Sequence, residues 1–248
     1  MDNKKDIERF FGDPFAAELI NCNDSLIRRS VTGISASCEM LSKLAEKKGM
    51  KQERGYIDNI MRMCCDLMRS AELSNALAAE KLAADDMIIV RADFFLGDFA
   101  GSCEAASRGR CTVTVGETSP SYFRTDRELL RFLLLSFVRR LTVGGDGGRN
   151  AFEVSCREEL KTLNISVKAL RTFVDEGLIG QPDVFDEHYR EVCAGLAERL
   201  GVSAEISDNE LVVGIPLHDG SRGGLTEAPS AEPERDYFNS FSIMLGNM

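Results

Sequence analysis

The sequence predicts an α+β protein in which a long antiparallel helical hairpin is followed by an α/β sandwich. Two apolar stripes with steps of three and four residues, separated by a short polar turn, predict the hairpin. From Asp86 onward, helix-like and strand-like periods alternate, which predicts the sandwich. We therefore divide the 248 residues into a lead at 1–13, the hairpin at 14–86, the sandwich at 87–217 and a tail at 218–248.

The first helix is predicted to begin at Asp13-Pro14, a helix-capping residue followed by a proline, which favours the first helical position. It ends at Lys48, because two lysines and then Gly49 form a basic last turn with a glycine stop. A rise of about 1.5 Å per residue makes this helix roughly 50 Å long. Its apolar stripe consists of Ile27, Val31, Ile34, Cys38, Leu41 and Leu44.

A second stripe follows the polar turn at 49–55 and predicts a second helix that continues to about Ala84. This stripe consists of Ile57, Ile60, Cys64, Leu67 and Ala71, and it is widened by Met61, Met68, Leu73 and Leu77. One partner helix cannot cover so wide a stripe, so we expect two copies of the chain to pair as a four-helix bundle. The residues predicted at this dimer interface are Ile27, Ile34, Leu41, Ile60 and Leu67.

The sandwich is predicted from periods of about two residues for strands and about 3.6 for helices. A short apolar run lies at 87–90, strands are expected at 111–115, 151–156, 163–169, 202–206 and 211–217, and helices at 93–106, at 126–141 and in a last segment that ends at Gly201. Turns at 157–159 and 207–209 join neighbouring strands. The glycines at 144–148 predict a flexible connection rather than a phosphate-binding loop, since no Lys-Ser or Lys-Thr pair follows them.

The tail beyond His218 is rich in Gly, Ser, Pro and Glu, a composition that predicts disorder. Its last residues are nevertheless apolar, and they include Tyr237, Phe238, Phe241, Ile243, Met244 and Leu245. Two interpretations stay open for this end of the chain. It either lies loose or against its own domain, or it forms a short docking segment.

Charge and composition exclude several classes of function. A net charge of −10 and a pI near 4.9 weigh against nucleic acid and anionic membranes as partners. No apolar run approaches the roughly 20 residues of a membrane helix, and the first residues lack the apolar centre of a signal peptide, so we expect a cytoplasmic protein. The 8 cysteines form no CxxC pair and have no histidine at ligand spacing, which predicts reduced packing residues.

Four segments of the chain resemble the cytoplasmic core of sensor histidine kinases, a dimerising hairpin followed by an ATPase-like sandwich of the GHKL type. The sequence Arg-Ala-Asp-Phe-Phe-Leu at 91–96 resembles the start of that family's catalytic domain, and 111–115 resembles its first strand. The segment 125–141 resembles the nucleotide-box helix, and 193–206 resembles the last helix and the turn into the closing strands. The resemblance covers about 14–217 and implies a protein of two-component signal transduction.

The phosphoacceptor histidine of that family has no counterpart on the first helix. Ser25 stands at the histidine position, Leu26 at the acidic position that follows and Ser30 at the proline. A serine hydroxyl is hardly ionised at pH 7 and does not replace an imidazole nitrogen as the nucleophile of a phosphohistidine relay. The chain has 2 histidines, His188 and His218, and both lie outside the hairpin.

The nucleotide-binding residues of the family are also replaced. Ser136 and Arg140 stand where the box helix carries its Mg²⁺-binding asparagine, and arginine has no lone pair to offer a metal ion. Ala169 stands at the aspartate that recognises adenine, and larger side chains at 170–173 replace the glycines after it. The last phosphate-binding turn maps near 187–190, which contains no glycine. The resemblance therefore implies no catalytic residue, no nucleotide cofactor and no metal.

The leading hypothesis is a non-catalytic signalling module, a pseudokinase that homodimerises and binds a partner. By resemblance, the partner is a response regulator receiver domain or another kinase. Arg28 and Arg29 flank the region where receivers dock in the family, whereas the Arg139-Arg140 pair is interpreted as a solvated face. The alternative is a divergent ATP-dependent histidine kinase or phosphotransferase whose reactive residues lie elsewhere. A third hypothesis is a coiled-coil adaptor with an unrelated α/β ligand-binding domain.

Overall fold

The computed structural model describes residues 14–78, 87–107, 110–142, 150–171, 184–217 and 239–245. These residues form two compact units. The first unit contains the two long N-terminal helices, and the second contains the elements from residue 87 onward. Outside the described residues lie the lead at 1–13, the glycine stretch at 144–148, the tail residues 218–238 and the predicted continuation of the second helix beyond Ala78.

Helix α1 spans Pro14–Lys48 and helix α2 spans Lys51–Ala78, so the predicted end of the first helix is confirmed. Gly49 follows α1 with a left-handed backbone (φ 69°), which glycine adopts without steric cost. The N–H of Met50 donates to the carbonyl of Ala45 over 2.9 Å, and the turn thereby satisfies a carbonyl of the last helical turn. A connection this short makes the two helices an antiparallel hairpin.

Each helix of the hairpin carries two neighbouring apolar stripes that repeat every seven residues. What we call the inner stripe is buried and consists of Val31, Cys38 and Ala45 on α1 and Ile57, Cys64 and Ala71 on α2. What we call the outer stripe consists of Ile27, Ile34 and Leu41 on α1 and Ile60 and Leu67 on α2. Seven residues over two turns give about 3.5 residues per turn, the period of a left-handed coiled coil.

The second unit alternates strands and helices in the order the sequence predicts. Its strands are β1 (Ile88–Arg91), β2 (Cys111–Val115), β3 (Tyr122–Thr125), β4 (Asn150–Glu159), β5 (Thr162–Arg171), β6 (Ser203–Ile206) and β7 (Glu210–Pro216). Its helices are α3 (Ala92–Ala106), α4 (Arg127–Thr142), α5 (Val184–Glu187), α6 (Tyr189–Leu200) and α7 (Ser240–Leu245). This unit is therefore an α+β domain.

Five strands form one sheet in the order β2-β4-β5-β7-β6, and β1 and β3 form a separate antiparallel pair. The five-stranded sheet is mixed, because β2 and β4 are parallel while the other pairs are antiparallel. A parallel pair needs a crossover between its strands, and here the crossover contains β3 and α4. The crossover places α4 in the helical layer.

The core of the second unit lies between the sheet and the helical layer. Alternate residues of the three central strands are buried there, namely Phe152, Val154 and Cys156 on β4, Leu163, Ile165 and Val167 on β5, and Leu211, Val213 and Ile215 on β7. The helix α4 is buried continuously from Leu129 to Arg139. A helix that is buried all round lies at the centre of its layer.

Several details of the sandwich differ from the prediction. Residues 157–159 belong to β4 rather than to a turn, and the turn lies at residues 160 and 161. Arg157 and Glu159 remain paired with β5. Charged residues are tolerated here because this end of the sheet is exposed and their side chains stay in water. The short elements β3 and α5 were not predicted, since four residues are too few to show a period.

Two further differences concern the hairpin and the tail. Met68 and Leu73 are already buried in a single chain, so the expectation that they need a second copy to cover them is wrong. In the tail, α7 packs against α3 and α4, which agrees with an apolar end lying against its own domain. The prediction of disorder does not hold for Ser240–Leu245.

Candidate functional site

The outer stripe of the hairpin is exposed in a single chain. The exposed fraction is 42% for Ile34, 54% for Leu41, 41% for Ile60 and 49% for Leu67, and Ile27 is half-buried. Further large apolar side chains are exposed on the same helices: Leu26, Met40, Leu44, Tyr56 and Met63. Full burial of an aliphatic side chain of this size contributes about 1.5–3 kcal/mol, so this surface strongly favours association.

Both halves of the outer stripe lie on one face of the hairpin. On each helix an outer-stripe residue follows an inner-stripe residue by three positions, as Ile34 follows Val31 and Ile60 follows Ile57. Each residue turns an α-helix by about 100°, so a residue three positions later lies about 300° round the helix axis, which is the same as about 60° in the opposite direction. The outer stripe is therefore offset from the inner stripe by about 60°, in the same direction about the axis of each helix. Because the helices are antiparallel and their inner stripes face each other, equal rotations bring both outer stripes to the same side. The result is a continuous apolar face of the kind that closes a four-helix bundle.

The two arginines predicted to dock a partner have different surroundings. The Nε of Arg28 donates to Asp24 over 2.8 Å, and its guanidinium also pairs with Glu72 on α2. Arg28 therefore links the two helices of the hairpin and already has two anionic partners. Arg29, the next residue, is exposed.

The position that the resemblance assigns to the phosphoacceptor is accessible. Ser25, Leu26 and Ser30 are all exposed on α1. The carboxylate of Asp24, beside Ser25, accepts the hydrogen bond from Arg28 and serves as its counter-ion. The location thus suits a phosphoacceptor, while the residue type, a hydroxyl in place of an imidazole, does not.

Ser136 and Arg140 lie one turn apart on α4 and make different contacts. Ser136 is buried, and its hydroxyl donates to the carbonyl of Phe132 in the same helix over 2.8 Å. Arg140 is exposed, and its guanidinium carbon lies 5.7 Å from the ring centre of Tyr189. A hydroxyl committed to the backbone and a cationic guanidinium make a poor site for Mg²⁺, which needs neutral or anionic oxygen ligands.

Tyr189 begins α6 at the position of the family's phosphate-binding turn, and two arginines contact its ring. The Nε of Arg190 donates to the Tyr189 hydroxyl over 3.0 Å, and its guanidinium also pairs with Asp208 at 3.1 Å. Contacts between an arginine and an aromatic ring contribute about 0.5–1 kcal/mol at exposed sites. Bulky side chains therefore occupy the place where backbone N–H groups would have to approach a phosphate.

Ala169 lies on β5 opposite Phe152 of β4. Its N–H donates to the carbonyl of Asn209 over 2.8 Å, and its methyl group has no acceptor for the amino group of adenine. Leu170, the next residue, is exposed on the strand, and residues 172 and 173 lie outside the described part of the chain. The two residues of this segment whose side chains are described, Ala169 and Leu170, are therefore both apolar.

Cysteines and acidic residues do not assemble a metal centre in the described ranges, where no group of three or more His, Cys, Asp or Glu side chains could hold an ion. Burial raises the pKa of the Cys193 thiol to about 12, and burial together with Glu104 raises the pKa of Cys111 to about 12. Such thiols are neutral at physiological pH and react poorly as nucleophiles or ligands. No described helix is long and apolar enough to cross a membrane.

One residue of the helical layer was misjudged from the sequence. Arg139 is buried rather than solvated, and its guanidinium donates to the carbonyl of Met244 in α7 over 2.7 Å. A signal was present, since Arg139 follows Phe137 and Val138 in an apolar run that has no polar face. Its partner was not predictable, because 105 residues separate the two.

The sequence matches no family model and no curated protein. The structure is similar to solved histidine kinase structures. Full-length ShkA in complex with AMPPNP matches over 80% of this chain and 45% of its own, at 13% identity and a TM-score of 0.54. The Acinetobacter baumannii histidine kinase AdeS matches over 77% and 97%, at 8% identity and a TM-score of 0.47. The ATP-binding domain of PrrB from Mycobacterium tuberculosis matches over 54% and 100%, at 17% identity and a TM-score of 0.38.

The likeness to ShkA establishes the fold of this chain. A match over 80% of the chain extends beyond either unit alone, so it includes parts of both. The chain has the fold of histidine kinases, a helical hairpin followed by an α/β domain, and this confirms the predicted fold class. It also argues against the third hypothesis, an α/β domain unrelated to the kinases. The chain spans 45% of the length of ShkA.

Proposed function

We propose that this chain is a non-catalytic histidine kinase-like module of the cytoplasm, a pseudokinase that homodimerises through its hairpin and acts by binding a protein partner. The observation that carries the proposal is the coincidence of Ser25, Arg140 and Ala169 in a chain whose fold is retained. Each replacement removes a different requirement of a phosphohistidine relay: the nucleophile, the metal ligand and the recognition of the base.

The surroundings of Arg140 support the loss of magnesium nucleotide binding. A fixed positive charge at the position of a metal ligand repels a divalent cation, and its stacking on Tyr189 gives it a partner that does not depend on phosphate. Ser136 offers no substitute ligand, because its hydroxyl is bonded within α4. Ser136 and Arg140 therefore both act against binding of Mg²⁺ at this position.

The outer stripe supports homodimerisation. A two-fold symmetric pairing brings the same patch of both copies together, so a continuous apolar face can cover itself. The seven-residue spacing of the outer stripe equals that of the inner stripe, which already packs helix against helix. Two hairpins paired in this way would complete a four-helix bundle with both stripes covered.

A response regulator receiver domain is the partner class that we favour, with another kinase as the second candidate. The exposed Arg29 would contact the partner, and Arg28 would position α1 against α2 through Asp24 and Glu72. Binding to a panel of purified receiver domains tests this assignment. Arg29→Glu should weaken any complex at least tenfold, whereas Arg54→Glu, the same charge reversal at an exposed position of α2, should leave it within twofold.

Calorimetry with ATP and MgCl₂ tests the loss of catalysis. The full chain at about 50 µM should release no binding heat with up to about 2 mM nucleotide. A repeat without MgCl₂ separates magnesium nucleotide from direct contact between phosphate and Arg140. A dissociation constant below 1 mM with MgCl₂ would refute the non-catalytic assignment.

The alternative, a divergent kinase or phosphotransferase, has one observation in its favour: Ser25 is exposed at the acceptor position. Incubation with γ-labelled ATP would then label the chain with an acid-stable phosphoserine. Comparison with Ser25→Ala assigns any label to this residue. Acid-labile label would indicate His188 or His218 instead, and no label at all is the result that we expect.

A further inference from the structure

The helical layer of the second unit has a groove between α3 and α4, and the C-terminal helix α7 lies in it. The buried residues of α7 are Ser240, Phe241, Ile243, Met244 and Leu245. The preceding element, β7, ends at Pro216, so residues 217–239 connect the helix to the body of the domain. The contact thus joins the domain to a segment that is distant along the chain.

Phe241 is the aromatic anchor of α7. Its ring centre lies 5.5 Å from that of Phe99 on α3, and the guanidinium of Arg131 on α4 lies 5.1 Å above the ring. Asp98 holds Arg131 with a 2.7 Å ion pair, and Glu128 pairs with it as well. The pocket for the ring therefore has an aromatic wall and a cation fixed by residues of the domain itself.

Arg139 provides a polar anchor beside this pocket. It is 7% exposed, and it donates to the carbonyl of Met244 over 2.7 Å. Carbonyls in the last turn of a helix have no intrahelical partner, so a donor placed here recognises the end of a helix through its backbone. The groove thus contacts both the Phe241 side chain and the Met244 carbonyl of the helix that it binds.

The segment also contains a local signal for the start of a helix. The side-chain oxygen of Asn239 accepts the N–H of Ser242 over 2.8 Å and caps the helix at its start. Phe241, Met244 and Leu245 have the i, i+3, i+4 spacing that places them on one face of the helix, and Ser240 and Ile243 are buried as well. Helix formation and groove binding are therefore encoded within a few consecutive residues.

We propose that the α3–α4 groove is a binding site for a short helix with an aromatic anchor, and that Ser240–Leu245 is its tethered and exchangeable ligand. A connection of about 20 residues holds such a ligand at an effective concentration on the order of 1 mM. A free peptide that binds with a dissociation constant near 10 µM is therefore about 99% bound when it is tethered. A partner that presents a similar helix with an aromatic anchor displaces α7 by competition.

Cutting the tether in the folded full chain tests the exchange. A protease recognition sequence replaces residues 225–230, the protein is cleaved after folding, and it is passed over a sizing column at about 1 µM. We expect the C-terminal fragment to separate from the folded domain, and a synthetic peptide of residues 236–248 to rebind with a dissociation constant of 1–100 µM. A fragment that stays bound until the domain unfolds would show that α7 is a fixed part of the core. Failure of the peptide to rebind at 1 mM would also overturn the proposal.

Paired peptide variants separate recognition from nonspecific apolar binding. The Phe241→Ala peptide should bind at least tenfold more weakly than the parent peptide, because it loses the pocket between Phe99 and Arg131. The Ser242→Ala peptide changes the half-buried residue beside it and should bind within threefold of the parent. Equal affinities for all three peptides would contradict a specific site. The experiment does not involve nucleotide or the hairpin, so its outcome is independent of the proposed function.

Discussion

The hairpin and the sandwich differ in how completely a single chain covers their apolar residues. In the sandwich the large side chains of α4, such as Leu133 and Phe137, are fully buried. In the hairpin, Leu41 and Leu67 are each about half exposed although they follow the same repeat as the buried inner stripe. One unit buries its large apolar side chains within the chain, whereas the other leaves a row of them exposed. The same substitution should therefore act on folding in one unit and on association in the other.

The largest effect is expected in the sandwich core. Leu133→Ala removes a fully buried side chain from the central helix and should lower the free energy of unfolding of this unit by about 2–5 kcal/mol. Leu160→Ala is the matched control, because Leu160 is 100% exposed at the β4–β5 turn, and it should change that energy by less than about 0.5 kcal/mol. Urea denaturation monitored by circular dichroism measures both. Equal effects would mean that burial does not distinguish the two positions.

Charges in the outer stripe are expected to break the dimer. The full chain should have twice the monomer mass of 27.4 kDa by light scattering at micromolar concentration. Ile34→Asp together with Leu41→Asp should raise the dissociation constant at least about 100-fold, or about 2.7 kcal/mol, because two carboxylates from each chain would have to be buried. Ala36→Asp, an exposed position outside both stripes, should leave the mass unchanged. A monomeric parent chain would contradict the proposed assembly.

A smaller effect is expected from the ion pairs of the sandwich. Asp98 pairs with Arg127 and with the buried Arg131, so Asp98→Asn should cost about 2 kcal/mol of stability, as Arg131 keeps only Glu128 of these carboxylates. The pair Glu117 with Arg157 is about two-thirds exposed, and Glu117→Gln should cost less than about 0.5 kcal/mol. Thermal unfolding of the two variants side by side gives the comparison.

The effect that is smallest near neutral pH is a pH dependence from a buried thiol, because it develops only above about pH 9. The folded-state pKa of Cys193 is raised to about 12, so above pH 9 the thiol ionises in the unfolded chain before it does so in the folded one. Its stabilising contribution is complete below about pH 9 and falls by about 1.4 kcal/mol per pH unit as the pH rises toward 12. Cys193→Ala removes this term, so its stability should decline less steeply over that window in denaturation curves. Parallel declines would refute the burial effect.

The sequence predicted the fold where periodicity extends over several turns. Local patterns in the sequence were sufficient for several elements. They are the stripes of α1 and α2, the continuous apolar run of α4 and the glycine that ends α6. Strand β3 and helix α5 contain four residues each, and no period can be detected in so short a segment. The end of β4 was missed because its charged residues match the composition of a turn, although they continue the ladder at an exposed edge.

The sequence predicted which residues belong to the candidate site, but it did not predict which other residues they contact. The spacing of Ile34, Leu41, Ile60 and Leu67 predicted an apolar stripe, but their exposure in a single chain depends on which face of each helix the other helix covers. The ion pair between Arg28 and Glu72, and the contact between Arg139 and Met244, join residues that are far apart in sequence. Such contacts depend on how the elements pack, and a single sequence carries no local signal for them.

The strand order also has a consequence for the timing of folding. The contacts between α1 and α2 begin beside a two-residue turn and can form outward from it one helical turn at a time, whereas β2 and β4 pair only after β3 and α4 have been placed between them. Chains rich in local contacts fold faster than chains that depend on distant pairings, and N-terminal segments leave the ribosome first. The hairpin should therefore be formed while the sandwich is still being synthesised. Two nascent chains on one polysome could then meet through their hairpins before either sandwich is finished.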